Sequence, residues 1–462
     1  MPSLASRGGA RSASAALTFC CGALIGFVAT ATAKHAARPD ASSGARRGRD
    51  LVVPLLSEAE RLQAIRKAAP DIYARLPLQF EEGLSNPCFR DGNDTLRCLP
   101  AFFLAGAMQC GNSDLWRRLQ EHGLVAHKHD ALSHWWTNHP RSRAGDFDKY
   151  LDRLSGRRTV AALTREPGTL IAEASPATFT YVMAESLRLH YLYLDAFASC
   201  HARCRSATPP AEVAAECRRK SYDMAHCYAA ANAAAVPEAF NIPSLIATTM
   251  AARPPKVIAL LREPSVRLWV AFWTYGQYPA RYGASAEGFS YYVGNQTAAY
   301  DRCVRTDGRG RRRCALRFEG YGAAEAEVYY HCDQILKGAY AAFVPEWQAA
   351  LPRGGLLVLR TEDYLARTSR ALRRAARFLG LRPWTPQEAA AAERLETSDE
   401  LAGIVARGRR HALPADRQVL GRVRGFYRPF NRALAAMLGD DAFLWRDFER
   451  IYYDDHAPGA QE

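Results

Sequence analysis

The stretch from Ala101 to His122, AFFLAGAMQCGNSDLWRRLQEH, constrains the fold more than any other part of the chain. Its apolar run at 102–105 is too short for a helix and ends in small residues, which is typical of a buried strand. A loop with two glycines follows at 106–111, and apolar residues at helical spacing come next. Natural N-caps for this predicted helix are Asn112, Ser113 and Asp114.

A strand, a glycine-containing loop and a helix N-terminus, in this order, form a cradle for an anion. The N–H groups of a first helical turn have no intrahelical partner, and the helix dipole favours negative charge there. A plain βα connection shows the same pattern, so this stretch alone is a weak signal. The Lys-Ser/Thr ending of Walker motifs is absent, which argues against a nucleotide kinase.

A second apolar run, from Lys256 to Leu261, predicts another buried parallel strand, and Arg262 directly follows it. Open α/β sheets bind ligands at the carboxyl ends of their strands. A guanidinium there can hold two phosphate oxygens at once. Further strands are predicted at 169–176, where the strand ends in a loop, and at 356–360. The fold class is therefore α/β, with a central parallel sheet, flanking helices and a P-loop-like nucleotide-binding arrangement.

The net charge of +14 indicates an anionic partner. A glycan with sulfate or carboxylate groups and a phosphorylated cofactor both fit this sign, and an arginine-rich compositional bias would also explain it. Nucleic acid would fit as well, but no nucleic-acid-binding motif is visible, so none is expected.

Residues 14–33 are apolar and uncharged, with arginines before them and Lys34 after them. This length spans a bilayer, and the preceding basic residues would keep the N-terminus in the cytosol. We expect a cytoplasmic tail at 1–13, a signal-anchor helix at 14–33, a stem at 34–75 and a lumenal domain at 76–462. A cleaved signal peptide ending near Ala33, and hence a secreted protein, is the alternative.

Twelve cysteines fit the oxidising secretory lumen. Local pairs predict the disulfides Cys88–Cys98 and Cys303–Cys314. A predicted helical insertion at 179–235 holds four more cysteines, which form two bridges in one of three pairings or a zinc site; these are Cys200, Cys204, Cys217 and Cys227. Cys110 and Cys332 are expected to be free buried thiols, and two N-glycosylation acceptors begin at Asn93 and Asn295.

The segments FFLAGAMQCGNSDLW and KVIALLREPSVRLW resemble the two phosphate-binding segments of carbohydrate sulfotransferases that use 3'-phosphoadenosine 5'-phosphosulfate (PAPS). The N-acetylgalactosamine 4-sulfate 6-O-sulfotransferase group of the heparan and chondroitin type is the most similar. Three more stretches agree in order and spacing, and they are His134–Thr137, Leu356–Tyr364 and Phe426–Arg432. Tyr329–Leu351 resembles a long helix of the family. The resemblance spans roughly Cys88 to Trp445.

This resemblance implies transfer of a sulfuryl group from PAPS to a carbohydrate hydroxyl, without a metal, by a type II Golgi membrane protein. The acceptor is expected to be an anionic polysaccharide, and Trp135 and Trp136 are candidates to line its cleft. The residues that the resemblance assigns to PAPS are Ala107, Gln109, Cys110, Gly111, Asn112, Ser113, Arg262, Arg407, Gly408 and Arg409.

The sequence departs from the family where the chemistry is done. Gln109 replaces a lysine of the first loop, Leu132 replaces a glutamate that is the base in several members, and Val270 replaces a serine that follows the phosphate-binding arginine. We expect Gln109 to act as a neutral donor and Asp130 or His134 to act as the base. The alternatives are a structural His134 and a non-catalytic protein that binds glycan or nucleotide.

Overall fold

The computed structural model describes residues 56–126, 131–138, 146–182, 187–205, 225–305, 310–317, 333–397 and 417–453. The chain divides into two compact units, 1–46 and 47–462, and all of these residues belong to the second. The predicted tail and signal anchor lie outside them, as does the predicted stem as far as residue 55. Within the described ranges, no helix combines the length and apolar character that a membrane span needs.

A parallel sheet lies at the centre of the fold. Among the described residues it contains four strands, in the spatial order β4-β3-β5-β6, and the predicted α/β class is confirmed. Phe103 pairs with Val257, and Ile258 pairs with Leu357, in its central registers. Beside it, β1 and β2 form an antiparallel hairpin. The strands are β1 (Cys88–Arg90), β2 (Leu96–Cys98), β3 (Phe102–Gly106), β4 (Ala172–Glu173), β5 (Lys256–Leu261) and β6 (Leu356–Arg360).

Helices flank the sheet and supply most of the remaining core. Their bounds are α1 (Glu58–Ala68), α2 (Pro70–Tyr73), α3 (Asn112–Leu119), α4 (Phe147–Leu154), α5 (Arg157–Arg165), α6 (Leu187–Arg205), α7 (Ala225–Ala234), α8 (Ile242–Thr249), α9 (Pro264–Thr274), α10 (Gln277–Tyr282), α11 (Ala286–Arg305), α12 (Gly310–Arg317), α13 (Val344–Ala350), α14 (Thr361–Ala366), α15 (Thr368–Leu379), α16 (Pro386–Arg394), α17 (Gln418–Leu438) and α18 (Phe448–Tyr452). Short 3₁₀ helices lie at Tyr340–Ala342 and Asp441–Leu444.

Burial explains why these segments take these forms. Every residue of β3 is buried, as a strand covered on both faces requires, and β5 is buried from Val257 onwards. In contrast, α15 buries one stripe only, formed by Leu372, Ala375, Ala376 and Leu379 at the spacing of one helix face. The core therefore lies between the sheet and the apolar stripes of the helices.

The folded region begins earlier than residue 76, the boundary predicted for it. Ser57 and Glu60 form a reciprocal capping box that starts α1, in which the Ser57 N–H donates to Glu60 Oε2 over 2.8 Å. Ile65 of α1 and Ile72 of α2 are fully buried in the core. Residues 57–73 thus belong to the domain, because their apolar face packs against it.

The disulfides Cys88–Cys98 and Cys303–Cys314 are confirmed, and Cys110 is a free buried thiol. In the predicted insertion, a third disulfide joins Cys200 of α6 to Cys227 of α7. Since these two sulfurs are bonded to each other, the four-cysteine zinc alternative is wrong. The side chains of Cys204, Cys217 and Cys332 lie outside the described residues.

The long helix predicted at Tyr329–Leu351 is not continuous in its described part. Residues 333–336 are helical, the helix breaks at Lys337 and Gly338, and α13 starts only at Val344. A Cβ atom at position 338 would lie 2.6 Å from the ring of Tyr427, whose hydroxyl donates to the Ile335 carbonyl over 2.7 Å. The chain therefore turns here to let α17 approach.

Gly106 ends β3 where the backbone of the 174–179 loop approaches it. Its φ is +141°, and a Cβ atom at this position would collide with the carbonyl oxygen of Pro176. We expect Gly106→Ala to lower the free energy of unfolding by roughly 1–3 kcal/mol, because both the backbone conformation and the space favour glycine. Urea denaturation followed by circular dichroism measures this.

Gly425→Ala is the matched control. Gly425 lies inside α17, and its Cβ atom would meet nothing within 4 Å. Alanine there should raise the free energy of unfolding by up to about 1 kcal/mol. Equal effects of the two substitutions would contradict the close approach at Gly106.

Candidate functional site

The carboxyl ends of the four parallel strands meet at one edge of the sheet. Gly106 ends β3, Glu173 ends β4, Arg262 follows β5 and Thr361 follows β6. This edge is where open α/β sheets bind their ligands. The structure thus brings together the two segments that the sequence singles out, the glycine loop and Arg262.

The loop at 107–111 is held by β5 and by the residue that follows β6. The Ala107 N–H donates to the Leu260 carbonyl over 2.9 Å, and the Thr361 hydroxyl donates to the Cys110 carbonyl over 2.9 Å. Gln109 and Gly111 have φ angles of 62° and 90°, in the left-handed region. The loop is therefore a fixed turn that ends at the start of α3.

None of the three predicted caps, Asn112, Ser113 and Asp114, caps α3. The N-cap is Gly111, which has no side chain to accept a hydrogen bond from the first turn. The Asn112 amide instead turns back and donates to the Ala107 carbonyl, Ser113 is exposed, and Asp114 accepts from Arg118. The conformation of the loop therefore outweighs the capping preference of these three residue types. The N-cap residue of α3 offers no side-chain hydrogen bond to the first turn.

Arg262 places a buried guanidinium at this edge of the sheet. It is 1% exposed, and its Nη1 and Nη2 atoms have no hydrogen-bond partner among the described residues. Two acceptor atoms of the glycine loop and of α3, Gln109 Oε1 and Asn112 Oδ1, are likewise buried and without a partner among the described residues. A buried guanidinium without an acceptor is costly, so this arrangement fits an anionic ligand.

Cys110 is fully buried beside Arg262. Burial raises the pKa of the Cys110 thiol, and the positive charges of Arg262 and Arg267 only partly oppose this. Its sulfur lies 3.7 Å from the Tyr340 hydroxyl, which donates to the Arg262 carbonyl over 3.0 Å. Cys110 is therefore a neutral part of the loop's packing rather than a nucleophile.

Two buried carboxyl groups, those of Glu263 and Glu362, accept hydrogen bonds from the backbone that follows Arg262. Glu263 caps α9 by accepting hydrogen bonds from the Ser265 and Val266 N–H groups at 2.8 and 2.9 Å. Glu362 accepts from the Glu263 N–H, the Trp445 indole and the Tyr452 hydroxyl, at 2.8, 3.0 and 2.6 Å. The C-terminal part of the chain thereby fixes the ends of β5 and β6.

Two cationic residues that the sequence analysis missed contact the loop through Met108. Arg267 Nη1 lies 3.5 Å from the Met108 carbonyl oxygen, and Lys337 Nζ lies 3.6 Å from the Met108 sulfur. Both side chains are fully buried. The sequence signal that could have found Lys337 is its position inside Tyr329–Leu351, the segment that resembles a long helix of the family.

His134 lies at the same edge of the sheet, next to β4. The Ala174 N–H donates to the Ala131 carbonyl over 2.6 Å, and the His134 N–H donates to Ser175 Oγ over 2.8 Å. His134 has a φ of 52°, a left-handed conformation that non-glycine residues adopt rarely and often at functional sites. Because Ser175 adjoins Pro176, which packs on Gly106, the histidine backbone lies close to the glycine loop.

For the remaining residues that the sequence analysis named, the structure gives the exposure of two, and the others lie outside the described ranges. Leu132 is 56% exposed, and Val270 is buried in α9. Asp130 and the arginine loop at 407–409 lie outside the described residues. In the described part of the chain, no group of three or more His, Cys, Asp or Glu side chains could hold a metal ion.

Trp135 and Trp136, expected as candidates for a glycan cleft, are fully buried. Trp135 stacks on Tyr150 with ring centroids 4.4 Å apart, and the Arg188 guanidinium lies 3.5 Å above the Trp135 ring. The Trp136 indole donates to the Tyr150 hydroxyl over 2.9 Å. This expectation is wrong because the two rings form the core that supports His134.

The chain is 24% identical to human carbohydrate sulfotransferase 15 over 358 residues, which are 76% of this chain and 55% of the relative. It is 25% identical over 362 residues to the mouse and rat proteins of the same name, with the same coverage. The chain is related to the carbohydrate sulfotransferases. The resemblance predicted from the sequence is thereby confirmed.

The chain spans about half the length of these carbohydrate sulfotransferases. No protein-family model matches it. Among solved structures, a sulfotransferase from Alicyclobacillus acidocaldarius aligns with a TM-score of 0.39 and 16% sequence identity, over 75% of this chain and 99% of that one.

Burial raises the pKa of the Glu263 carboxyl from 4.5 to about 7. The folded protein thus holds this proton more tightly than the unfolded chain, and the resulting stabilisation is complete below pH 4.5 and is lost as the pH rises to about 7. Relative to Glu263→Gln, the wild type should lose roughly 3 kcal/mol at most over this range. Urea denaturation of both proteins between pH 4.5 and 8 measures the difference.

Glu82→Gln, a substitution at an exposed site, controls for the change of charge alone. Because all other titrating groups are shared, their contributions cancel in the comparison. Parallel pH profiles for the wild type and Glu263→Gln would contradict a raised pKa at this position.

Proposed function

We propose that the chain is a sulfotransferase that transfers a sulfuryl group from PAPS to a hydroxyl of a carbohydrate. The observation that carries this proposal is the buried Arg262 guanidinium, whose two terminal nitrogens have no acceptor among the described residues. It lies at the same sheet edge as the N-terminus of α3. Together they offer two separate binding points for a nucleotide that carries phosphate at both its 3' and 5' positions.

The residues that would hold PAPS are those around the glycine loop and the end of β5. In this assignment, the backbone from Ala107 to Ser113 takes the phosphosulfate end, and Arg262 takes the 3'-phosphate. Arg407, Gly408 and Arg409 are assigned to close over the same phosphate. When bound, PAPS supplies the activated sulfuryl group, and no metal is required.

We assign the acceptor side to the segment of His134. Its backbone is fixed to Ser175, and its position near the glycine loop suits a base that takes the proton of the sugar hydroxyl. Asp130 is the other candidate base. Gln109 is assigned as a neutral donor to the phosphosulfate, since its side chain belongs to the loop itself.

The acceptor that the charge favours is an anionic polysaccharide. The chain has 61 Lys and Arg residues against 47 Asp and Glu residues. An excess of positive charge attracts sulfated or carboxylated glycans and raises their local concentration. Trp135 and Trp136 take no part in acceptor binding here, because they are buried.

We place the protein in the Golgi membrane, with residues 14–33 as a signal anchor and the folded domain in the lumen. Three disulfides of the described part suit an oxidising compartment, and the acceptor asparagines Asn93 and Asn295 are exposed. Secretion after cleavage near Ala33 is the alternative that the same observations allow. Recovery of the protein from membranes or from culture medium separates the two.

The donor site is tested by calorimetry with adenosine 3',5'-bisphosphate. We expect micromolar binding to the wild type and a loss of roughly 10- to 100-fold in affinity for Arg262→Ala, since hydrogen bonds to charged phosphate oxygens are removed. Arg374→Ala, an exposed arginine on α15, removes the same charge away from the site and should bind like the wild type. No binding by the wild type would overturn the proposed function.

The acceptor side is tested by sulfate transfer from PAPS to a panel of glycosaminoglycans. His134→Asn removes the base but tolerates the positive φ angle, and the rate should fall ~10²–10⁴-fold while bisphosphate affinity stays unchanged. Leu132→Ala is the neighbouring control. Unchanged transfer by the double variant Asp130→Ala/His134→Ala would refute both base assignments, and bisphosphate binding without any transfer would favour a non-catalytic role.

A further inference from the structure

The solvent side of α15 is formed by arginines. Four of them recur at positions i, i+3, i+4 and i+7, which lie on one face of a helix. They are Arg370, Arg373, Arg374 and Arg377, and all four are exposed. The buried apolar stripe of α15, which begins at Leu372, lies on the opposite face. We call this row of four side chains the arginine face.

The arginine face has no acidic partner in the part of the chain that the structure describes. None of its four guanidinium groups forms an ion pair or a side-chain hydrogen bond there, and α15 itself contains no Asp or Glu. The neighbouring acid Glu393, on α16, accepts from the Ser369 hydroxyl. Because like charges three and four residues apart repel each other on a helix, the arrangement fits a partner that supplies negative charge.

The direction of α15 links this face to the candidate site. Its N-terminal end follows β6 through the short helix α14, so it starts on the side of the carboxyl edge. Its C-terminal end lies at the start of β5, where Lys256 Nζ donates to the Phe378 carbonyl over 2.6 Å. The arginine face therefore extends for about 10 Å away from the edge of the candidate site, since this is the rise of seven helical residues.

An extended polyanion fits the arginine face better than a membrane does. Each guanidinium can bond a separate sulfate or carboxylate group, and an anionic polysaccharide repeats such groups along its chain. A helix that lies on a membrane also inserts apolar side chains into it. The apolar stripe of α15 is not available for this, because it is buried in the core.

We propose that the arginine face of α15 is a binding surface for an anionic polysaccharide, separate from the donor site at Arg262. Polysaccharide bound along this face extends toward the carboxyl edge of the sheet and thereby toward the candidate site. The surface raises the affinity for a long acceptor chain and takes no part in the sulfuryl transfer. Its role toward the acceptor rests on the proposed function, whereas the binding of polysaccharide does not.

The variant Arg370→Gln/Arg373→Gln/Arg377→Gln tests the surface, since glutamine keeps a helix-forming side chain and removes the charge. We expect its affinity for labelled chondroitin sulfate, measured by fluorescence anisotropy, to fall roughly 10-fold, because three surface ion pairs are lost. The affinity should also depend less steeply on salt concentration than that of the wild type. Affinity for adenosine 3',5'-bisphosphate should stay unchanged.

The matched control is Arg157→Gln/Arg158→Gln/Arg165→Gln, which removes three exposed arginines from α5. This helix precedes β4, at the opposite end of the strand order from β6. Both variants have the same net charge, so a loss of affinity in the α15 variant alone would support the proposal. Equal affinities of the two variants would overturn it. Binding of the wild type to anionic lipid vesicles but not to chondroitin sulfate would also overturn it.

Sulfate transfer tests the role of the arginine face toward the acceptor. In the α15 variant, the KM for chondroitin sulfate should rise roughly 10-fold while the turnover number stays the same. The KM for a disaccharide acceptor, which is too short to occupy both places, should not change. A fall in turnover with unchanged KM would contradict this role. Failure of the wild type to bind the bisphosphate would overturn the proposed function, and the polysaccharide affinities would still decide whether α15 binds the polyanion.

Discussion

The contact between Gly106 and the Pro176 carbonyl sets the geometry of the candidate site. Gly106 leads into the loop at 107–111, and Ser175, next to Pro176, holds the backbone of His134. Any larger residue at position 106 would push these two parts of the chain away from each other. The spacing between the anion cradle and the candidate base therefore depends on one glycine, although neither part is close to the other in sequence.

Much of this architecture could be predicted because buried parallel strands are continuous apolar runs. β3, β5 and β6 were all expected within a residue of their observed bounds, and Arg262 was found because it follows such a run. The cap of α3 could not be predicted, since the Asn112 side chain bonds the Ala107 carbonyl across the folded loop. The capping preference of asparagine is local, whereas the conformation of Asn112 is determined by the tertiary structure of the loop.

The charges around the loop were harder to foresee, because they come from distant positions. Lys337 contacts Met108 across 229 residues of sequence, at a helix break where Tyr427 packs on Gly338. The prediction for Trp135 and Trp136 was wrong because a pair of aromatic residues in a polar segment is typical of a sugar-binding cleft and also of a core. Only the packing of Tyr150 and Arg188 around it distinguishes the two.

The C-terminal part of the chain stabilises the candidate site through hydrogen bonds to Glu362. Trp445 and Tyr452 each donate to this buried carboxylate, which in turn accepts the N–H of Glu263 beside Arg262. A protein shortened before Trp445 would keep every residue assigned to the donor yet leave the buried Glu362 carboxylate without two of its hydrogen-bond donors. Expression fragments and fusions need to preserve the chain through Tyr452. Trp445 and α18 hold Glu362 in place, and Glu362 in turn holds the backbone that follows β5.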